Sequence, residues 1–313
     1  MKIIVATDGS RTSGAAVRFA GQIASATRGR LGIVTVGEIS PDVFQKGPDS
    51  DALSDFENVE LRTAHAALES ARRDTRRVAV PVRCEYVAAR RLEPFAETIS
   101  RAADRSGADL AVAGSGGGAP LSRWLRGSVA NRLAHVAHVP VAVVGSAKRS
   151  SRPLARILVA TDGSRTAAKA VRFAARLTSA IPGARLVILT VSTLTADLAL
   201  TGLGVVRALG VLPELERADR RIADTILGDA ARQARLGKRA TLRYYRPARR
   251  LFAARAILEE AKRQRASVIV LGRTGRSALG DVFMGSVAQR VLALASQPVI
   301  LVPPSVRASR RSR

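Results

Sequence analysis

Short apolar runs alternate along the chain with longer segments in which apolar residues recur every three or four positions. The first run, Ile3-Ile4-Val5-Ala6, stops at Thr7-Asp8-Gly9, which favours a turn. Such runs predict buried strands, and the longer segments predict amphipathic helices. The predicted strands lie at 3–6, 31–36, 80–87, 110–113 and 139–144, and again at 157–160, 186–191, 240–245, 268–271 and 299–302. Helices are predicted at 15–26 after a Ser10 cap, at 55–73 and 94–105, and from residue 128.

This order of elements predicts an α/β fold made of two repeated doubly wound domains. Strict alternation of strands and helices predicts a parallel sheet with helices on both faces. In such sheets ligands bind beyond the carboxyl ends of the strands, where the strand order reverses. The polar residues that follow the predicted strands are therefore the first candidates for a site.

The two halves of the chain are copies of one another. Residues 6–20 read ATDGSRTSGAAVRFA, and residues 160–174 read ATDGSRTAAKAVRFA. A second match begins with GSVANRLAHVAHVPVAVV at Gly127 and GSVAQRVLALASQPVILV at Gly285. A repeat of this length indicates a duplicated domain rather than a solenoid. We predict a domain at 1–146, a polar linker at 147–153, a domain at 154–304 and a basic disordered tail at 305–313.

Charge is spread unevenly over the two halves. The chain has 51 basic and 25 acidic residues and a net charge of +26, of which residues 151–313 carry +20. Such a balance indicates either an anionic partner or an arginine-rich genome composition, and only six of the basic residues are lysines. Aromatic residues are not interleaved among the basic ones, so we expect any nucleic-acid binding to be non-specific and salt-sensitive.

The remaining composition favours a cytoplasmic protein. The lone cysteine, Cys84, rules out an intramolecular disulfide and is expected to be a small apolar strand residue. The apolar run after Met1 is too short for a signal peptide. The most apolar long stretch, 194–213, contains Asp197 and Arg207, so we expect no membrane span.

One glycine motif follows the fourth predicted strand in both halves. It has the form G-x2-G-x9-G-S, from Gly114 to Ser128 and from Gly272 to Ser286. Glycines let backbone N–H groups approach an anion, and the last glycine opens a helix whose free N–H groups attract negative charge. The motif therefore predicts a phosphate site. A loose dinucleotide fingerprint at 114–119 is discounted, because it follows the fourth strand rather than the first.

An aspartate ends the first predicted strand of each half. Asp8 and Asp162 lie next to the fourth strand in a doubly wound sheet, where a carboxylate can accept hydrogen bonds from ribose hydroxyls or an adenine amine. Each also suits an Asx turn that caps the following residues. Ser286 similarly suits a capping box with Gln289, beside a role with a ligand. The glycine motif in register favours ligand binding by both aspartates.

These residues resemble the universal stress protein family over nearly the whole chain, twice. The resemblance implies that the aspartate contacts the nucleoside and that the residue ending strand two offers backbone groups to adenine. It also implies that the glycine loop holds ribose and phosphates. The residues it assigns to nucleotide binding in the first half are Asp8, Val36, Gly114, Gly117, Gly127, Ser128 and Val129. Those in the second half are Asp162, Val191, Gly272, Arg273, Gly275, Arg276, Gly285, Ser286 and Val287.

The resemblance also implies a function and partners. It implies a sheet in the order 3-2-1-4-5, a stress-response or signalling role without a catalytic site, and ATP, ADP or AMP as ligand, with Mg²⁺ accompanying ATP. Family members dimerise through strand five, which predicts an intramolecular pseudo-dimer of the two domains, or a homodimer. Arg273 and Arg276 lie beside the second glycine loop, whereas the first has no basic residue before Arg123. The second site is therefore predicted to bind triphosphate more tightly.

Several alternatives stay open from the sequence. The basic second half allows a nucleic-acid-associated protein, and the family includes members that bind no nucleotide and act through protein partners. An enzyme of an adenine-nucleotide α-hydrolase-like group would carry a different loop from Asp8-Gly9-Ser10 after strand one. His135 and His138 have the spacing of a metal pair, but no third ligand is evident and packing or capping is the expected role.

Overall fold

The computed structural model describes residues 1–46, 55–116, 129–145, 153–192, 210–246, 253–275 and 284–304. Residue contacts divide the chain into two compact units. The first consists of Met1–Pro153 together with Ser296–Arg313, and the second of Leu154–Ala295. Four predicted site residues lie outside the described residues, namely Gly117, Gly127, Ser128 and Arg276.

In the first unit, strands and helices alternate. β1 is Lys2–Ala6, α1 Arg11–Ala26, β2 Arg30–Gly37, α2 Pro41–Lys46, α3 Asp55–Asp74, β3 Val82–Ala88, α4 Phe95–Ser106, β4 Leu110–Gly114, α5 Val129–Val136 and β5 Val141–Val144. Ser10 caps α1 as predicted, because its hydroxyl accepts a hydrogen bond from the backbone N–H of Ser13 and the helix begins at Arg11. The sequence did not predict α2, because PDVFQK is too short to show a helical period. β3 and β5 each begin two residues later than predicted.

The sheet of the first unit has the predicted strand order. β3, β2, β1, β4 and β5 are hydrogen-bonded neighbours in that order and run parallel. Because the order reverses between β1 and β4, right-handed crossovers place helices on opposite faces. There α1 packs against α3, and α4 packs against α5. The α/β class, the doubly wound arrangement and the order 3-2-1-4-5 are confirmed in this half.

The second unit repeats this plan. Its elements are β6 Arg156–Ala160, α6 Arg165–Ala180, β7 Arg185–Val191, α7 Leu212–Ala234, β8 Ala240–Tyr245, α8 Ala253–Arg263, β9 Val268–Gly272 and α9 Ser286–Leu294. β8, β7, β6 and β9 are parallel neighbours in that order, which matches the first four strands of the first unit. α6 packs against α7, and α8 packs against α9. Ser164 caps α6 as Ser10 caps α1.

The last strand, β10 (Val299–Val302), belongs by its contacts to the first unit. It runs antiparallel beside β5, with Val299 opposite Val143 and Leu301 opposite Val141. A strand from far along the sequence thus extends the sheet of the first unit beyond β5. A pseudo-dimer of the two repeats, and a homodimer through the same strand, stay predictions.

Both cores are built from aliphatic residues and alanine. The first four residues of β4 and of β9 are all buried, as a parallel sheet covered on both faces requires. Alanines dominate the buried faces of α1 and α6, which lets these helices lie close to the sheet. None of the described helices is both long enough and apolar enough to cross a lipid bilayer.

Candidate functional site

A cavity of about 320 Å³ lies at the carboxyl ends of the strands of the second unit. Residues at the ends of β6, β7 and β9 line it, together with residues of α7, α8 and the first turn of α9. Open parallel sheets bind ligands at this position, and the volume is that of a small-molecule site. The predicted residues that line the cavity are Asp162, Val191, Gly272, Arg273, Gly275, Gly285, Ser286 and Val287.

Asp162 follows β6 and closes the turn after that strand. Its Oδ1 accepts a hydrogen bond of 2.9 Å from the backbone N–H of Ser164, the Asx interaction that the sequence allowed. Gly163 has φ +80°, a conformation that favours glycine. A Cβ atom added at Gly275 would lie 3.1 Å from Asp162 Oδ2. The cap therefore uses Oδ1, and Oδ2 lies beside the glycine loop.

The glycines of this loop are needed for different reasons. At Gly272 an added Cβ would come within 3.0–3.1 Å of Thr166 and Ala167, so packing against the first turn of α6 accounts for this glycine. An added Cβ at Gly285 would lie 3.4 Å from the backbone nitrogen of Gly275. Gly275 and Gly285 thus bring two stretches of backbone together beside Asp162.

The start of α9 differs from the capping box predicted at Ser286. The cap residue is Gly285, with φ −63° and ψ 144°, and no side chain of the described residues caps it. The helix begins one residue too early for the box, because the backbone N–H of Gln289 bonds to the carbonyl of Gly285 at 2.9 Å. The capping-box prediction is therefore wrong, and Ser286 lines the cavity. The first turn of α9 borders the cavity with N–H groups for which a helix provides no internal partner.

Arg273 and Thr274, between the glycines, are buried at 6% and 7% exposure. The hydroxyl oxygen of Thr274 lies 3.0 Å from that of Thr166 on α6. The carbonyl of Arg273 accepts a hydrogen bond of 2.8 Å from the backbone N–H of Gly285. These contacts tie the loop to α6 and to the start of α9. Arg273 therefore lines the cavity as part of a packed loop rather than as a surface arginine.

At the other end of the cavity, three polar side chains meet that the sequence did not single out. Ser192 follows β7, Asp219 lies on α7 and Tyr244 lies on β8. The Ser192 hydroxyl donates to Asp219 Oδ2 at 2.6 Å, and the Tyr244 hydroxyl donates to the same oxygen. Val191, predicted to meet the base, lines the cavity next to them. No motif could reveal this cluster, because only the fold brings its three widely separated members together.

Aliphatic side chains line the space between the two ends. Ile222, Ala223 and Ile226 come from α7, Ile257 from α8 and Leu189 from β7. Ile222 is 56% exposed, which places it at the mouth of the cavity. Aliphatic walls between two polar ends suit a flat apolar body with polar edges.

Asp8 of the first unit adopts the same turn as Asp162. Its Oδ1 accepts a hydrogen bond of 2.9 Å from the backbone N–H of Ser10. Burial acts to raise the pKa of Asp8, but hydrogen bonds from Ser10 and Ser13 outweigh it and lower that pKa. Asp8 is therefore an ionised acceptor at neutral pH. A Cβ added at Gly114 would come within 2.7–2.8 Å of the backbone of α1, so this glycine is needed for packing, as Gly272 is.

Equivalent contacts within each unit show that α3 of the first unit corresponds to α7 of the second. Arg18 on α1 bonds to Asp74 on α3 at 2.8 Å. Arg172, at the matching repeat position of α6, bonds to Gln233 on α7 at 3.2 Å. Glu60 precedes Asp74 by the same number of residues as Asp219 precedes Gln233, so Glu60 and Asp219 occupy matching positions of the two helices. Each unit therefore has a carboxylate at this point of the helix.

The register of the sheets aligns the tyrosines in the same way. Tyr86 on β3 pairs with Thr35 on β2, and Tyr244 on β8 pairs with Thr190 on β7. Thr35 and Thr190 each precede the valine that the family resemblance assigned to the base. A carboxylate and a tyrosine therefore meet at the same end of both units.

In the first unit, this end is filled by the protein itself. Glu60 Oε1 accepts a hydrogen bond of 2.6 Å from the backbone N–H of Glu38. The Tyr86 hydroxyl accepts from the N–H of Ile39 at 2.9 Å and donates to its carbonyl at 3.1 Å. Ile39 is 5% exposed and packs against α3 and Tyr86, and Phe44 of α2 stacks on the Tyr86 ring with 4.2 Å between centroids. Residues after β2 thus cover positions whose counterparts line the cavity of the second unit.

The two histidines with the spacing of a metal pair have separate partners. His135 Nδ1 lies 2.8 Å from the carbonyl oxygen of Asn131, and His138 Nδ1 lies 3.1 Å from Asp104 Oδ2. Within the described part of the chain, no three His, Cys, Asp or Glu side chains are grouped to hold a metal ion. Hydrogen bonding within the fold accounts for both histidines.

Comparison with known proteins bears on the whole chain. The sequence model of the universal stress protein family matches residues 1–145 and again 154–303. The crystal structure of a universal stress protein from Archaeoglobus fulgidus DSM 4304 is similar over 96% of both chains, at 19% identity, with a TM-score of 0.64. The crystal structure of a putative universal stress protein from Pseudomonas aeruginosa UCBPP-PA14 matches 97% of this chain and 94% of its own, at 17% identity, with a TM-score of 0.62. At these identities, the two structures bear on the fold alone.

One curated relative shares a shorter segment at higher identity. A Thermus aquaticus protein described as "Universal stress protein in QAH/OAS sulfhydrylase 3'region" is 47% identical over 49 residues. The match spans 16% of this chain and 36% of that protein, so the chain covers little more than a third of the relative's length.

Proposed function

This chain belongs to the universal stress protein family, and on that premise we propose that its second unit binds an adenine nucleotide. The observation that carries the proposal is the cavity in which Asp162, the glycine loop and the first turn of α9 converge. A carboxylate, close-packed glycines and a helix N-terminus are a set of groups suited to ribose and phosphate.

The residues along the cavity indicate how a bound nucleotide would be oriented. Its phosphates would lie at Gly275 and Gly285, where the backbone approaches without an intervening side chain and α9 begins. Asp162 Oδ2, beside Gly275, would accept from a ribose hydroxyl. The base would lie between the aliphatic walls, with its edge toward Val191.

Charge strengthens the phosphate end. Arg273 lines the cavity, and a hydrogen bond between a guanidinium and a phosphate contributes about 1.5–3 kcal/mol. ATP and ADP are therefore expected to bind more tightly than adenosine. A Mg²⁺ ion would accompany ATP on its own phosphate oxygens.

The role we propose is binding and signalling in a cytoplasmic stress response rather than catalysis. The carboxylates among the described lining residues are Asp162 and Asp219. Each is held by hydrogen bonds from its own unit, to Ser164 for the first and to Ser192 and Tyr244 for the second. Both are suited to act as fixed hydrogen-bond acceptors, because donors of their own unit hold each carboxylate in place.

The first unit is proposed to be the weaker site. Asp8, Val36 and Gly114 repeat the second-unit residues, but Ile39 is packed where the base would lie. A nucleotide would have to displace Ile39 and break its hydrogen bonds with Tyr86. We therefore expect one high-affinity site per chain.

Isothermal titration calorimetry of the full chain with MgATP tests this proposal. We expect one tight equivalent in the unmodified protein, weakened about 10- to 100-fold by Asp162→Ala, because hydrogen bonds to a charged group are lost. Asp8→Ala is the matched control, since it removes the same side chain from the same turn of the other unit. It should leave the tight equivalent unchanged, and both variants should unfold near the temperature of the unmodified protein.

Two results would contradict the proposal. If no adenine nucleotide gives heat at millimolar concentration, the chain belongs with the family members that bind none. If Asp8→Ala weakens the tight equivalent and Asp162→Ala does not, the first unit is the main site.

A further inference from the structure

The Ser192–Asp219–Tyr244 cluster has no part in holding ribose or phosphate. The cluster lies at the opposite end of the cavity from Gly275. There Ser192 follows β7, and Tyr244 of β8 lines the same cavity. The proposed function places the edge of the base there. The donors and acceptors of the cluster are therefore the groups that the edge of the base would meet.

The cluster offers acceptors only. A hydroxyl has a single proton, and both Ser192 and Tyr244 give theirs to Asp219. Burial and the hydrogen bond to Asp219 raise the pKa of Tyr244, so its hydroxyl keeps that proton at neutral pH. Asp219 accepts both of these hydrogen bonds and donates none that the structure shows among the described residues. A ligand atom that meets this cluster must therefore be a donor.

The two oxygens of Asp219 are not equivalent. Among the described residues, both donors reach Oδ2, which leaves Oδ1 as the oxygen for a ligand. One free oxygen matches a single amine. It does not match the paired N1–H and N2–H groups of guanine, which need both oxygens of a carboxylate.

We propose that Asp219, held in place by Ser192 and Tyr244, selects the base of the nucleotide by accepting a hydrogen bond from an exocyclic amine. This inference rests on the proposed nucleotide site and names what that site prefers. Adenine places an amine at position 6, whereas hypoxanthine places an oxygen there that would face acceptor atoms. Adenine nucleotides are thereby favoured over inosine and guanosine nucleotides with the same ribose and phosphates.

Titration of the full chain with ATP, ITP and GTP tests the inference. A hydrogen bond from the amine to a charged acceptor corresponds to about tenfold or more in affinity. We expect ATP to bind about tenfold more tightly than ITP or GTP. Asp219→Asn should reduce the ATP-to-ITP ratio to about one, because the amide can turn its NH₂ group toward the oxygen of hypoxanthine and still accept from Tyr244 through its own oxygen.

Two further variants separate base selection from general damage to the site. Asp224→Asn makes the same change on α7 at an exposed residue that pairs with Arg220 and does not line the cavity, so the ATP-to-ITP ratio should stay unchanged. Tyr244→Phe keeps the carboxylate and removes one donor that positions it. The ratio should fall a few-fold while the thermal unfolding temperature stays close to that of the unmodified chain.

The outcomes distinguish this inference from the function on which it rests. If neither ATP nor ITP binds, the nucleotide site itself is wrong. If ATP binds but ITP binds equally well, or if Asp219→Asn leaves the ratio unchanged, the site stands and the role of Asp219 is overturned. A change of the ratio in Asp224→Asn as large as in Asp219→Asn would also overturn it, because the effect would then be general to the charge of α7.

Discussion

Glu60 and Asp219 occupy matching positions of the two units and have different partners. Glu60 accepts a hydrogen bond from the backbone N–H of Glu38, in the segment that follows β2. Asp219 accepts from two side-chain hydroxyls and lines a cavity. Glu60 therefore holds the segment that fills its unit, whereas Asp219 lines the cavity in which we propose that a nucleotide binds.

The residue after Val36 and Val191 shows why the two carboxylates have different partners. In the first unit it is Gly37, where an added Cβ would lie 2.1 Å from Glu60 Oε1. The absence of a side chain there makes room for the longer acid to cross the end of β2. In the second unit the corresponding residue is Ser192, whose hydroxyl meets the shorter Asp219. A duplicated motif can therefore be kept in both copies while residues outside it give the two carboxylates different partners.

The largest effect is expected from Ile39→Ala, which tests whether Ile39 fills the first unit. Removing this buried side chain should lower the free energy of unfolding by about 2–5 kcal/mol. In an Asp162→Ala background, in which the second unit binds ATP weakly, it should also strengthen ATP binding by the first unit, because the space becomes available to a base. MgATP should then raise the unfolding temperature, since a ligand stabilises the state that binds it.

Ile99→Ala on α4 is the matched control for that experiment. It truncates a residue that is buried to a similar degree in the same unit and should lower stability without any rescue by ATP. If ATP stabilised both variants equally, or neither of them, Ile39 would not be the residue that keeps a nucleotide out of the first unit.

A smaller effect is expected at the glycines that end β4 and β9. An added Cβ at Gly114 comes within 2.7–2.8 Å of α1 backbone atoms, but at Gly272 the closest atoms are 3.0–3.1 Å away. Overpacking of this kind costs about 1–3 kcal/mol. Gly114→Ala should therefore lower the unfolding free energy more than Gly272→Ala, as measured by urea denaturation. If Gly272→Ala instead lowered the unfolding free energy more, α6 would shift less than α1 to accommodate an added Cβ.

The smallest effect is expected at the residues whose contacts match α3 of the first unit with α7 of the second. Arg18 and Asp74 form a partly exposed ion pair, with 39% and 25% of their side chains exposed. Asp74→Asn should cost less than about 1 kcal/mol, and less still in high salt. Gln233→Glu should add a similar amount by creating the matching pair on α7. No change, or a loss of stability, in Gln233→Glu would count against the alignment of Glu60 with Asp219.

The repeat in the sequence predicts the strands, the two aspartates and the glycine loops, because each depends on residues close together in the chain. It does not predict the Glu60–Tyr86 contacts with Ile39, because these join β3, α3 and a connecting segment that are far apart in sequence. The interpretation of Gly272 as an anion contact missed its packing against α6, since a glycine needed for a ligand and one needed for a helix look the same. The capping-box spacing of Ser286 and Gln289 does not locate the cap, because the same spacing occurs one residue inside the helix.

The pairing of β10 with β5 has a consequence for how the protein is made. Residues 299–302 are synthesised long after β5, yet they extend the sheet of the first unit beyond that strand. At about 5–20 residues per second, roughly 10–30 s separate the synthesis of β5 from that of β10. During that interval the nascent chain carries an open β5 edge, which can pair with a strand of another chain. We therefore expect slower translation to increase the fraction of chains in which β5 pairs with a strand of another chain.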